Sequence, residues 1–202
     1  MNIFSKKIKK YTLFSLLIFS IFAVLGVAFN WARPEDADLL FSQIEQEFSF
    51  IRDFNFIQTF LFIFVNNAFV ITLAVFLGVL FAFIPLLFLA VNGFVLGLVG
   101  AYVYPILGLE GLILSLAPHG IFELTAFFIA SGMGIYMGLL TISEIKEGRL
   151  SIKKVLKKIR RLKFPNKNIK DAYKVIFSVY LKIIIPLLFL AAVIEALLIF
   201  ML

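Results

Sequence analysis

The stretch FIQTFLFIFVNNAFVITLAVFLGVLFAFIPLLFLAVNGFVLGLVGAYVY, Phe56 to Tyr104, runs for 49 residues without a charged side chain. A spanning helix needs about 20 apolar residues, at ~1.5 Å of rise each, to cross a hydrocarbon core of about 30 Å. The run therefore holds two spans, 56–80 and 85–104, and leaves almost nothing for the loop between them. That turn must be tight and apolar, and Gly78 and Pro85 bracket the place for it. Pro85 suits the first turn of the returning helix, where its missing N–H is not needed. The turn's backbone polar groups cannot face lipid, so it sits at the interface or is buried in protein.

The rest of the chain has the same character. Of 202 residues, 62% are apolar, 15% are charged and 26 are Phe, against the roughly 45–50% apolar and 25% charged of soluble domains. Mean hydropathy is +1.06. A soluble core of this size cannot hide so much apolar surface, and the chain is an integral membrane protein. The absence of cysteine excludes a disulfide framework, a thiolate metal site and a cysteine nucleophile.

Three more spans follow from the same rule. Residues 11–31 are uncharged and follow a lysine cluster; the stretch exceeds a cleavable signal segment and precedes no small-x-small site, so it is read as a retained helix ending with Trp31 at the interface. Residues 112–142 are interrupted by Pro118-His119-Gly120, which predicts a helix opening at Pro118, with 112–117 as a separate short or re-entrant segment. Residues 175–202 form the last span. In 34–55, Leu39, Leu40, Phe41, Ile44, Phe48 and Ile51 recur among charges near helical spacing, as in an amphipathic helix on the outer surface. The expected architecture is all-α, with five spans in one transmembrane domain.

Charge orients it. Fifteen of the 19 Lys and Arg lie in two blocks, Lys6 to Lys10 and Lys146 to Lys170, while residues 30–55 carry Glu35, Asp36, Asp38, Glu45, Glu47 and Asp53. By the positive-inside rule both basic blocks, the second in the loop 143–172, are cytoplasmic and the acidic segment is outside. Five spans satisfy this, with the N-terminus cytoplasmic and the C-terminus outside the cell membrane. The net charge of +7 does not point to nucleic acid, because no aromatic-interleaved basic stripe accompanies it. The expected partners are the lipid bilayer, its anionic headgroups beneath an inner amphipathic helix at 151–162, and a membrane protein or second copy of the chain. Gly93 with Gly97, and Ala130-Gly134-Gly138, place small faces on two spans for close packing.

The informative residues are those that membrane composition should exclude. His119 is the only histidine, Glu123 follows at i+4 on the same helix face, Glu195 lies deep in the last span, and Asn66, Asn67 and Asn92 interrupt apolar helices. An ionisable group in a span costs about 2.5–3.5 kcal/mol on insertion scales, to be offset by pairing, protonation, a bound cation or water. Counting rise from the nearest interface brings these residues into one layer between the midplane and the outer face.

The series Asn66-Asn67, Gly78, Asn92-Gly93, Pro118-His119-Gly120 with Glu123, Ala126 and Ala130, and Ile194-Glu195 resembles the stage II sporulation protein M family of integral membrane proteins. The resemblance implies a polytopic helical protein. It also implies a membrane platform or assembly role, since the namesake sits in the engulfing membrane of spore formers with peptidoglycan-degrading enzymes.

Four readings of the polar layer compete. The residues pair structurally within a scaffold; Glu123 and Glu195 line a pathway for a cation or small solute; His119, Glu123 and Glu195 bind a metal, one imidazole and two carboxylates being suitable Zn²⁺ ligands; or the site is an intramembrane hydrolase. The last lacks the second histidine of zincin-like sites, and neither Ser115 nor Ser131 sits in a glycine elbow. A bound cation is the one cofactor these residues suggest.

Overall fold

The structure, a computed structural model, describes residues 3–160 and 167–201, and among them it is helical with no strand. In chain order come α1 (Ile3–Ala32), α2 (Pro34–Phe48) with a 3₁₀ turn at Ser49–Asp53, α3 (Phe56–Phe76) with a 3₁₀ turn at Leu77–Val79, and α4 (Phe83–Lys146). α5 (Ile152–Arg160), α6 (Lys167–Val179), a π turn (Tyr180–Ile184) and α7 (Ile185–Met201) follow. Five segments are long and apolar enough to cross a membrane: Lys6–Ala32, Phe56–Val79, Phe83–Leu114, Leu116–Lys146 and Lys167–Phe200.

α4 is two spans joined at Gly108, whose φ of 68° and ψ of −179° are the only non-helical angles inside it. The break expected at Pro118 is thus displaced ten residues upstream. The helix passes through Pro118, Gly120 and the whole of 112–142, because an interior proline removes one N–H and leaves neighbouring dihedrals helical, which packed spans accommodate. Gly108 adopts a conformation open essentially to glycine alone, and there the chain reverses.

The reversal can be read from α1, which packs on both arms. Gly93 lies against the Phe19 carbonyl and Gly97 against that of Ala23, so α1 and the arm 83–107 ascend together. Thr12 lies beside Gly132, whereas the Phe19 ring meets Phe127 at 6.2 Å and Phe128 at 5.2 Å; α1 and the arm 109–146 are antiparallel. α3 runs against α7, with Phe60 on Phe189 and Phe56 on Phe200. Directions alternate in the order five spans require.

The turn between α3 and α4 is the tight apolar one expected. Leu77–Val79 forms one 3₁₀ turn, and Phe81 and Ala82 take positive φ of 59° and 64°. Gly78 and Val79 are buried, with Gly78 backbone to backbone against Gly134 and Ala82 against Gly138, so the expected small faces are where the bundle closes. Asn55 begins α3 with a capping box, its side chain accepting from the Gln58 N–H at 3.0 Å and Gln58 accepting from the Asn55 N–H at 2.9 Å.

Of the amphipathic segments, α2 covers 34–48, and its Phe41 stacks on Tyr102 at 3.9 Å, tying it to the Gly108 end. The basic amphipathic segment appears as α5, with Val155 buried and Ile152 and Leu156 exposed between lysines; Arg161 and Lys163 of the basic block, and Leu162, lie outside the described residues.

Candidate functional site

His119 and Glu123 sit one turn apart on the arm 109–146, and Glu195 projects from α7. Ala126 and Ala130 on the arm and Ala191, Ala192 and Ala196 on α7 are fully buried, small side chains that let spans approach closely. At this approach an imidazole nitrogen and one oxygen from each carboxylate lie within 4.8 Å of one another. Nδ1 of His119 is buried and, among the described residues, has no hydrogen-bond partner.

Beside the three lies a cavity of about 700 Å³, into which His119, Glu123, Asn66, Asn67 and Asn92 all face. These five residues share one cavity, and Glu195 adjoins it beside His119 and Glu123. Asn66 Nδ2 reaches Asn67 Oδ1 at 3.4 Å, and Asn92 Nδ2 donates to the Phe88 carbonyl at 2.8 Å. Chemically the arrangement is a set of three nitrogen and oxygen donors converging from two helices, bordered by amides, in an apolar shell.

The family model for stage II sporulation protein M matches residues 15–198. The chain belongs to the stage II sporulation protein M family. No curated protein and no solved structure matches it. In this family member the matched region takes in every residue of the polar layer, so the layer belongs to the family domain itself.

A second polar cluster had no signal in the sequence. Glu144, near the end of α4, is only 2% exposed, and Arg149 grips it with Nε to Oε2 at 3.0 Å and Nη2 to Oε1 at 2.7 Å. Asn168, at the start of α6, donates to the same Oε1 at 3.0 Å. Arg149 also pairs with Glu147, which accepts from Ser143 Oγ at 2.8 Å. The chain folds back here at Gly148, whose φ is 71°. The cluster ties the end of α4 to α6. Nearby, Tyr173 donates to the Phe76 carbonyl at 2.5 Å, and Tyr180 shares a hydrogen bond with Thr72 at 2.6 Å.

Two outcomes follow for this cluster. Arg149→Met alone strands a buried carboxylate and is expected to destabilise the protein more than Arg149→Met with Glu144→Leu, since removing one partner of a buried pair is worse than replacing both; melting in detergent ranks the two. The Arg149 guanidinium and then the Ser143 hydroxyl hold the Glu147 carboxyl below its ordinary 4.5, and the same carboxylates raise Arg149. Because the Glu147 value is depressed on folding, its contribution is complete above about pH 4.5 and lost as pH falls through the folded value. The protection of the amides of Glu147 to Leu150, measured against the unfolded exchange rate at each pH, should decline over that fall.

Proposed function

We propose that this protein binds a divalent transition-metal ion inside the membrane, through His119, Glu123 and Glu195. What carries the reading is the convergence of those three ligand atoms within 4.8 Å from two separate helices. A neutral imidazole and two carboxylates sum to two negative charges, which one divalent ion balances in a place where net charge is costly. Nitrogen and carboxylate donors suit Zn²⁺ and its first-row neighbours, and three protein ligands leave a further position open.

Such an ion pins α7 to α4 as a structural rivet, in keeping with the assembly role that the resemblance implies. A cation passage is the second reading, favoured by the asparagines that border the ligands on one cavity wall.

The test is titration of purified protein with Zn²⁺, and with Co²⁺ for its visible spectrum. One ion per chain is expected, with Glu123→Gln and Glu195→Gln each weakening it by more than the about 10–100-fold lost with an outer-shell partner. Unchanged affinity in both variants would overturn the reading. In proteoliposomes, Zn²⁺ entry that Glu123→Gln abolishes would select passage over rivet.

The orientation is N-terminus and basic segment cytoplasmic, acidic segment and C-terminus outside. Cysteines at Asp38 and Lys157 should accordingly label from opposite sides of sealed vesicles, and same-side labelling would defeat it.

A further inference from the structure

The cavity beside the three ligands is an apolar-walled opening in the bundle surface, with the exposed Asn66 and Asn92 among its lining. Ile113 and Ile121 line it and are 51% and 64% exposed, and both lie in segments apolar enough to span. Among its lining residues the only acid is Glu123, and there is no Lys or Arg. Every lining residue lies in a segment apolar enough to span, so the opening faces the bilayer, and a component of the bilayer enters from its own medium. We propose that the cavity takes an acyl chain of a bilayer amphiphile, and that the amphiphile's anionic oxygen head, a carboxylate or a phosphate, completes the coordination of the ion held by His119, Glu123 and Glu195. This rests on the metal reading above and adds to it what fills the open position.

The dimensions and charges suit that occupant. About 700 Å³ falls within the roughly 300–1,000 Å³ of small-molecule pockets, whose usual form is apolar walls with a few convergent polar groups. Val95, Val99 and Leu116 supply the walls. With the ion in place the three ligands and the ion sum to zero, so one anionic oxygen meets a bare Lewis acid and no opposing net charge. Asn92 and Asn67 stand beside it, and each side-chain amide has two N–H donors to offer a head group, of which Asn92 gives one to Phe88. Gly120 is on the wall, and nothing lies within 4 Å of where its Cβ would be. A large side chain there fills the cavity without displacing backbone.

The experiment uses the full chain in phospholipid nanodiscs with a fatty acid carrying a mid-chain diazirine, photolysed with and without Zn²⁺, and the label mapped by mass spectrometry. Zn²⁺ should raise label on 83–107 and 109–128 by at least about fivefold, the low end of coupling between two ligands. The methyl ester of the same probe should show no such rise. Gly120→Phe and Val99→Phe, each checked for an intact elution profile, should remove the label, and Glu123→Gln with Glu195→Gln should remove only the Zn²⁺-dependent part. Label spread over all spans and indifferent to both filling variants would overturn the proposal, as would equal Zn²⁺ response of acid and ester. Zn²⁺ titration without probe separates the two failures: tight Zn²⁺ binding with no cavity label sinks this inference alone, while absence of Zn²⁺ binding sinks the metal reading.

Discussion

Replacing Gly134 by leucine is expected to destabilise the bundle by about 3 kcal/mol or more, the upper end of overpacking in a filled core. A Cβ at Gly134 would overlap the Ala74 carbonyl oxygen and stand 3.1 Å from both the Ala74 carbonyl carbon and Pro85 Cγ. Two of those contacts are backbone, which cannot swing aside as a side-chain tip does. From the opposite side, a Cβ at Gly78 would stand 2.5 Å from the Gly134 Cα. The arm 109–146 and α3 therefore touch main chain to main chain, and any side chain at either glycine pushes the spans apart along their length. Gly100→Ala is the control, because nothing lies within 4 Å of its Cβ position. There the lost backbone entropy of glycine should give a gain of roughly 0.5–1 kcal/mol. Thermal unfolding in one detergent compares the pair, and a Gly134→Leu protein melting with the parent would show that the close approach is not needed.

Zn²⁺ should raise stability in step with its concentration if it binds only the folded chain. At about 100 times its dissociation constant the gain is about 2.7 kcal/mol, and at about 1,000 times it is about 4.1 kcal/mol. No preformed site survives unfolding, since Glu195 is 72 residues from Glu123 along the chain, so the binding energy appears as folding energy. Glu123→Gln and Glu195→Gln are near-isosteric and should abolish the gain while leaving the metal-free protein folded. His119→Ala removes the neutral donor and keeps both carboxylates. Since Nδ1 of the ring has no hydrogen-bond partner among the described residues, its metal-free form should lose little beyond packing, while the Zn²⁺-dependent gain disappears. A Zn²⁺-dependent rise that persists in all three variants would place the ion elsewhere.

How far the sequence reaches can be judged residue by residue. The charge-free run from Phe56 to Tyr104 was enough for two spans and an apolar turn, because membrane thickness leaves no other solution. His119, Glu123 and Glu195 stood out by the cost of burying them, and rise per residue placed them in one layer. The helix break did not follow in the same way. Pro118 carries a sequence signal that its packed surroundings override, while Gly108 lies in Pro105-Ile-Leu-Gly-Leu-Glu-Gly111 with nothing to mark it from Gly111; its positive φ is a tertiary decision. The Glu144 cluster is silent for another reason. Its partners stand at i+5 and i+24, offsets that belong to no helical period, and they meet only after the chain has turned at Gly148.

The π turn at Tyr180–Ile184 bears on that same layer through phase. Each residue of an α-helix advances the side-chain azimuth by about 100°, and a π turn accommodates one residue more than an α-helical turn does. Everything from Ile185 onward is thus rotated by that step relative to α6, which is already committed by Tyr173 and Tyr180 to α3. Closing those residues into a regular α-helix, with nothing deleted, would leave a span of the same hydropathy, equally able to cross a bilayer. It would also swing Glu195 about a quarter turn away from His119 and Glu123. One wide turn, ending eleven positions before the carboxylate, acts as the indexing device that aims it.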